Sequence, residues 1–165
     1  MLATTPEASA SLWEHLLRMS LARRVRYDNA PPDEPLFHML TDARAAGVRI
    51  FDGLFARLVD VPRALAERTF ATPVDVVLEV ADPLCPWNEG RWRLAGDASG
   101  AACERTGAAA DLALSATELG AVHLGGPTLA VLGAAGRVRE LTAGALDAAS
   151  LAFRGTREPW CPEHF

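Results

Sequence analysis

The 165 residues carry 16 basic and 21 acidic side chains, for a formal net charge of −5, and half of them are hydrophobic. That length suits one ordinary domain, or one domain with a fragment of another, and the apolar fraction is enough to build a core. The acidic balance argues against nucleic acid or an anionic membrane surface as a partner, and no run of 18 apolar residues offers a membrane span.

Taken in order, residues 1–7 lack the basic and then apolar regions of a signal peptide. Ser11-x-x-Glu14 reads as a capping box that opens a helix, with Leu12, Leu16 and Met19 at helical spacing and Trp13 and Leu17 widening the apolar stripe. The helix fades near Ser20. Residues 23–27 are compatible with a short strand. Residues 30–35 hold Pro31, Pro32 and Pro35 and break regular structure. Residues 36–40 form a short apolar turn or helix, 42–47 a loop, and 48–61 are mostly strand-like with an interruption at Gly53. Pro62 suits the first turn of a helix over 63–70, with Leu65 and Ala66 inward.

Residues 74–97 carry the clearest pattern. Val74, Val76, Leu78 and Val80 share one face of a strand; Asp75, Val77, Glu79 and Ala81 share the other. A turn region rich in Pro, Asn and Gly follows, and then Trp92 and Leu94 alternate with Arg91 and Arg93. This is a hairpin signal, and it predicts Glu79 meeting an arginine across the solvent side. Residues 101–106 read as a weak third strand and 111–115 as a better fourth. Ser115-x-x-Glu118 is a second capping box, opening a helix with Leu119, Val122 and His123 that Gly125-Gly126 ends. Residues 128–135 form another short helix, 138–141 a strand or extended link, and Thr142 caps a last helix with Leu146, Ala149 and Phe153 on one face. The pattern predicts an α+β fold, an antiparallel or mixed sheet covered by helices. Residues 1–61 read as a helix and strands without a sheet of their own, which need the C-terminal unit or a partner.

Chemistry is sparse. The chain has no G-x-x-x-x-G-K-[ST] or G-x-G-x-x-G phosphate loop and no G-x-S-x-G elbow. Three cysteines spread along the chain make no disulfide framework and point to a reduced, cytoplasmic setting. Cys161-x-x-His164 is half a metal site that Cys85 or Cys103 would have to complete, so incidental use is the simpler reading. His15, His38 and His123 read as packed or surface histidines, Asp33 and Glu34 as a solvated pair in a proline loop. Trp87 and Trp92 read as core and hairpin packing rather than a ligand cage. The tail is unusual: Pro159 and Pro162 restrict it, and Trp160 and Phe165 can anchor it, where chain ends are ordinarily loose and polar. Anchoring would fix the terminal carboxylate; the plainer reading is that the two aromatics cover an apolar patch.

Several stretches together carry a family resemblance. Asp52-Gly53-Leu54-Phe55-Ala56-Arg57-Leu58-Val59-Asp60-Val61-Pro62, Leu78-Glu79-Val80-Ala81-Asp82-Pro83, Asn88-Glu89-Gly90-Arg91-Trp92, Ala110-Asp111-Leu112, Glu118-Leu119-Gly120 and the aromatic end resemble the C-terminal part of the Eis-like acetyltransferases. These are the enhanced-intracellular-survival family within the GCN5-related N-acetyltransferases. The resemblance implies that residues 62–165 form a sterol-carrier-protein-like domain and residues 1–61 the end of a central acetyltransferase-type domain. In that family acetyl-CoA is the acetyl donor, amines including aminoglycosides and lysine side chains are acceptors, and hexamers are common.

The family's cofactor-binding domain and its tyrosine general acid have no counterpart in the chain. Arg44-Ala45-Ala46-Gly47-Val48-Arg49 matches the family's pyrophosphate loop only in part, and Tyr27 aligns with no catalytic role. No cofactor is therefore expected in this chain, and acetyl-CoA only in the parent enzyme. The resemblance assigns one catalytic group, the C-terminal carboxylate of Phe165, as a general base. The expectation is a C-terminal portion of an Eis-like acetyltransferase, non-catalytic alone, that supplies this carboxylate and an assembly surface. Its expected partners are an N-terminal acetyltransferase half or further copies of itself. The alternative is a free-standing carrier for an apolar small molecule.

Overall fold

Val74, Val76, Leu78 and Val80 fall on one face of an extended chain, and all four are buried in the computed structural model, which describes residues 3–51 and 53–163. They lie on β1 (Val74–Ala81), the middle strand of a five-stranded sheet. β1 pairs antiparallel with β2 (Gly90–Asp97), which pairs antiparallel with β3 (Gly100–Arg105). On its other side β1 runs parallel to β4 (Leu112–Ser115), and β4 pairs antiparallel with the two-residue β5 (Arg139–Glu140). The order β3-β2-β1-β4-β5 makes the sheet mixed, and the fold is α+β, as the alternation predicts.

The helices are α3 (Val61–Ala66), α4 (Ala116–His123), α5 (Leu129–Ala134) and α6 (Ala145–Phe153). Val61, Leu65, Leu119, Val122, Leu129, Ala149, Ala152 and Phe153 join the inward strand residues in one apolar cluster. Each large side chain so buried contributes about 1.5–3 kcal/mol. Starts are set by side chains: Asp60 accepts from the Arg63 amide at 3.1 Å, Thr128 from the Val131 amide at 3.1 Å, and Ser115 and Glu118 form the capping box that their spacing predicts. α6 departs from expectation. Its cap is Gly144 at φ +87°, a left-handed position that favours glycine, and Thr142 contributes only its carbonyl, to the Ala145 amide.

The other face of the sheet is polar. Glu79 stands opposite Arg91 and pairs with it at 3.6 Å, and Arg93 reaches diagonally to Asp75 at 2.6 Å. Val77 points to this side yet is buried, and Asp111 clasps its backbone: the Asp111 carboxylate accepts from the Val77 amide at 2.8 Å, and the Asp111 amide donates back to the Val77 carbonyl at 2.8 Å.

The chain divides into two units. The strands above and α3 to α6 belong to Leu54–Pro159; the other unit takes the described residues before Leu54 together with 160–163. In that other unit, α1 (Pro6–Leu17) starts at Thr5, whose hydroxyl accepts from the Ala8 amide at 3.1 Å, and not at Ser11. Pro6 has no amide to leave unsatisfied at the first position, so the start moves upstream and Glu14 instead pairs with Arg18 at 3.0 Å. Trp13 is buried against Tyr27, ring centroids 5.6 Å apart. α2 (Leu36–Met39) and a 3-10 turn, Ala43–Ala46, follow; the turn replaces the expected loop. The expected strand at 23–27 is irregular chain. So are the described residues of 48–60, where Val48, Ile50, Phe51, Leu54, Phe55 and Val59 are all exposed. A period-2 pattern yields a strand only where a neighbour takes its amides and carbonyls, and among the described residues these stretches have no strand beside them.

Candidate functional site

The densest polar constellation lies where β1 ends. Asp82 is 1 % exposed and heads the turn between β1 and β2. One carboxylate oxygen accepts from the amides of Leu84 (3.3 Å) and Cys85 (3.1 Å) and from the Arg57 guanidinium; the other accepts from the Asn88 side-chain amide at 2.9 Å. Burial alone would push this carboxyl up; the donors from Asn88, the Cys85 amide and Arg57 outweigh it and hold Asp82 below the ordinary carboxylate range.

Asn88, also 1 % exposed, is the hub. Its carbonyl oxygen accepts from the Val61 amide at 2.9 Å, and its nitrogen also donates to the Val59 carbonyl at 3.2 Å. Its main-chain carbonyl accepts from the Trp92 indole at 2.8 Å. Trp87 donates its indole N–H to the Val59 carbonyl at 2.8 Å, and Arg105 lies 4.4 Å over the Trp92 ring. The result is a clasp that closes the hairpin turn over residues 57–61. Gly120 on α4 completes it: a Cβ there would stand 2.5 Å from the Ala56 carbonyl oxygen, so the backbone approach requires glycine. Every oxygen of the Asp82 carboxylate is engaged, so the group positions chain and does not shuttle protons.

Beside the clasp, on the polar face of the sheet, lies an open groove of about 690 Å³ floored by Ala81, Ala113 and Ser115 and edged by Glu79, Glu89, Glu118 and Arg137. Arg137 pairs with Glu118 at 2.6 Å. Burial would raise the Glu118 carboxyl, but donors from Ser115 and Arg137 hold it below its ordinary value. Both hollows that stand out are open, the second being a shallow one along Ser11, Glu14, His15 and Arg18.

The residues singled out from sequence are scattered. Phe165 and His164 lie outside the described residues. Cys161 faces the Glu163 carbonyl at 3.6 Å, the three cysteines are free thiols, and among the described residues no group of three His, Cys, Asp or Glu side chains could hold a metal ion. Burial pushes the Cys103 thiol up to about 11. His15 and His38 are exposed; His123 is half-buried, and burial together with Arg68 lowers its affinity for a proton. Burial and Glu34 raise the Tyr27 hydroxyl. Two readings need correcting. Glu34 is buried at 8 % exposure, its carboxylate turned back on the Leu36 amide, instead of solvated. Trp87 is 60 % exposed and not core, because its indole reaches outward to Val59 while Trp92 fills the interior.

The partial pyrophosphate loop at residues 44–49 does not fit a CoA pyrophosphate. The Asp42 carboxylate already accepts from the Arg44 amide at 3.0 Å, placing negative charge where a phosphate would bind. The clasp itself, with Arg57, Asp82 and Asn88, was not singled out in advance. Its signal was local: an aspartate ahead of a proline turn, which takes the next amides as acceptor, and one arginine inside the apolar run 54–59.

Residues 61–162 match the sterol carrier protein domain, and residues 1–58 match an acetyltransferase (GNAT) domain. An uncharacterised N-acetyltransferase of Streptomyces avermitilis is 52% identical over 163 residues, 99% of this chain and 40% of that protein. The N-acetyltransferase Eis of Mycobacterium tuberculosis is 36% identical over 141 residues, 83% of this chain and 33% of that protein. Among solved structures, Eis1 of Mycobacterium abscessus superposes with a TM-score of 0.80 at 36% identity, covering 99% of this chain and 41% of that one. The chain thus spans 33–40% of the length of these curated relatives.

Proposed function

Because the chain belongs to the sterol carrier protein domain family over residues 61–162, and its relatives are N-acetyltransferases, we propose that it is the scaffold portion of an Eis-like, acetyl-CoA-dependent N-acetyltransferase. The observation that carries this reading is the end-to-end match, 99% of this chain against 40% of a relative. In this reading residues 62–165 form the sterol-carrier-like domain and residues 1–61 the end of an acetyltransferase-type domain. The chain holds position and assembly surface, and acetyl-CoA binds elsewhere in the whole enzyme. The Asp42 carboxylate, which takes the Arg44 amide at the start of residues 44–49, supports that division. Acceptor amines, aminoglycosides among them, and a cytoplasmic setting come with the same proposal.

Within it, Phe165 is proposed as the general base when it is the last residue of the working enzyme. A terminal carboxyl titrates ordinarily at about 3.3–3.7, and a useful base works closer to neutral pH. The whole enzyme must therefore surround it with apolar or acidic groups that raise it. A carrier role for an apolar molecule is the weaker reading, since Leu78, Leu94, Leu112, Leu119 and Leu129 pack the space between sheet and helices with no exposure at all.

The test is a segment exchange. This chain replaces its matching segment in the Streptomyces avermitilis N-acetyltransferase, and acetyl-CoA-dependent transfer is measured against a panel of amines that includes aminoglycosides. The chimera is expected to transfer acetyl groups at a rate comparable to the parent, and deletion of Phe165 to abolish transfer while leaving the fold intact. A folded chimera without activity beside an active parent would refute the scaffold role.

A further inference from the structure

The tail turns on one hydrogen bond. The Trp160 indole N–H donates to the Asn29 carbonyl at 3.0 Å, and residues 160–163 belong with the described residues before Leu54. A tryptophan that covered an apolar patch would be buried, as Trp13 is at 4 %; Trp160 is 42 % exposed and is held by its polar tip. Its acceptor is set as well: Asn29 sits at φ +57°, a left-handed position that asparagine tolerates better than most residues. The chain on both sides of Trp160 is stiff. Pro159 and Pro162 each lock φ at about −65°, and each biases the residue before it, Glu158 and Cys161, away from the helical region. Past the anchor, the Cys161 thiol reaches the Glu163 carbonyl at 3.6 Å.

Two prolines leave few free torsions around Trp160, so one hydrogen bond there sets the direction in which the last residues leave. From this we infer that Trp160 is a positioning residue for acetyl transfer: held on the Asn29 carbonyl, it aims the terminal carboxylate of Phe165 at the acceptor amine. The inference rests on Phe165 being the general base, and Trp160 supplies what a chain end otherwise lacks, a fixed direction. Trp160 itself touches no reacting atom. A base takes a proton only from within hydrogen-bond reach of the atom that carries it, and a group misplaced by about 1 Å can cost roughly 100-fold in rate. Five residues of chain reach at most about 17 Å. The amine nitrogen therefore lies within roughly 20 Å of Trp160 in the whole enzyme.

Nuclear magnetic resonance on the 165-residue chain tests the anchor without any acetyl donor. The Cys161 and Glu163 amides are expected to show order parameters of about 0.8, near rigid backbone, and to fall below about 0.6 in Trp160→Ala. Low values in the unaltered chain, or values that Trp160→Ala leaves unchanged, overturn the inference. Kinetics of the segment-exchange chimera test the role. Trp160→Ala is expected to lower kcat by roughly 10- to 100-fold, with the KM for acetyl-CoA and the melting temperature unchanged. Trp160→Phe, which keeps a ring and lacks the N–H, is expected to lower kcat as well, and Asn29→Gly, which suits the left-handed position, to retain it. The pH profile separates positioning from structure: the limb of kcat/KM that follows ionisation of the base is expected to weaken in Trp160→Ala, the slow reaction then following the acceptor amine's own deprotonation. An unchanged kcat in Trp160→Ala beside an inactive Phe165 deletion refutes the anchor alone. A Phe165 deletion that transfers at full rate refutes the general base and the anchor's purpose with it. A fall in kcat that comes with a raised KM for acetyl-CoA or a lowered melting temperature assigns Trp160 to the fold and overturns the inference.

Discussion

Replacing Asn88 with alanine should disrupt the clasp more than any other single change. The side chain is 1 % exposed and serves four partners at once: the Val61 amide at 2.9 Å, the Asp82 carboxylate at 2.9 Å, the Val59 carbonyl at 3.2 Å and the Leu58 carbonyl at 3.4 Å. The Val59 carbonyl retains the Trp87 indole. The Val61 amide, the Leu58 carbonyl and one Asp82 oxygen lose the partner that Asn88 gave them, and each buried polar group left so costs about 1–3 kcal/mol, more where a charge is involved. Asn88→Ala should therefore lower stability by roughly 3–5 kcal/mol, out of about 5–15 kcal/mol for a domain. Urea unfolding of the full chain, followed by circular dichroism and tryptophan fluorescence, measures this directly. The pH dependence gives a second reading. Asp82 is held below its ordinary value in the fold, so its contribution is present at neutral pH and is lost as pH falls from the unfolded carboxylate value of about 3.9 through the lower folded one. Asn88→Ala should flatten that acid limb. A loss under about 1 kcal/mol, within the range of a surface change, would refute the hub role.

Three further outcomes follow from the same contacts. Gly120→Ala places a Cβ 2.5 Å from the Ala56 carbonyl oxygen; it should cost about 1–3 kcal/mol as an overpacked contact and speed amide exchange at residues 56–58, and a wild-type melting temperature would contradict the close approach. Arg68 donates to the His123 carbonyl at 2.6 Å and the Phe153 carbonyl at 3.0 Å while lying 4.6 Å and 4.7 Å from the Phe70 and Phe153 ring centroids. Arg68→Leu should destabilise by about 1–3 kcal/mol by freeing those two carbonyls, and an unchanged urea midpoint would show that water satisfies them as well. Cys103, raised to about 11, should react slowly with iodoacetamide at pH 8 and accelerate as pH approaches that value; a rate at pH 8 equal to that of a free cysteine peptide would contradict its burial.

The hairpin was legible because its information is local. Alternation in residues 74–81 set the buried face, and the Glu79–Arg91 pair followed from register alone. The Ser115–Glu118 box was equally local. The parallel pairing of β1 with β4 was not legible, since it depends on a crossover and on Asp111 clasping Val77. Residues 48–60 misled for the opposite reason: their composition is that of a strand, but a strand is a relation between two segments, and among the described residues no second one lies beside them. The clasp fell between these cases. Asp82 and Asn88 sat in a recognised turn, yet nothing local said that Asn88 would reach back 27 positions to the Val61 amide.

The central claim is that this chain positions and assembles while acetyl-CoA binds elsewhere. Calorimetric titration of acetyl-CoA into the 165-residue chain tests it most directly. The account predicts no heat beyond dilution; saturable one-to-one binding at micromolar strength would contradict it.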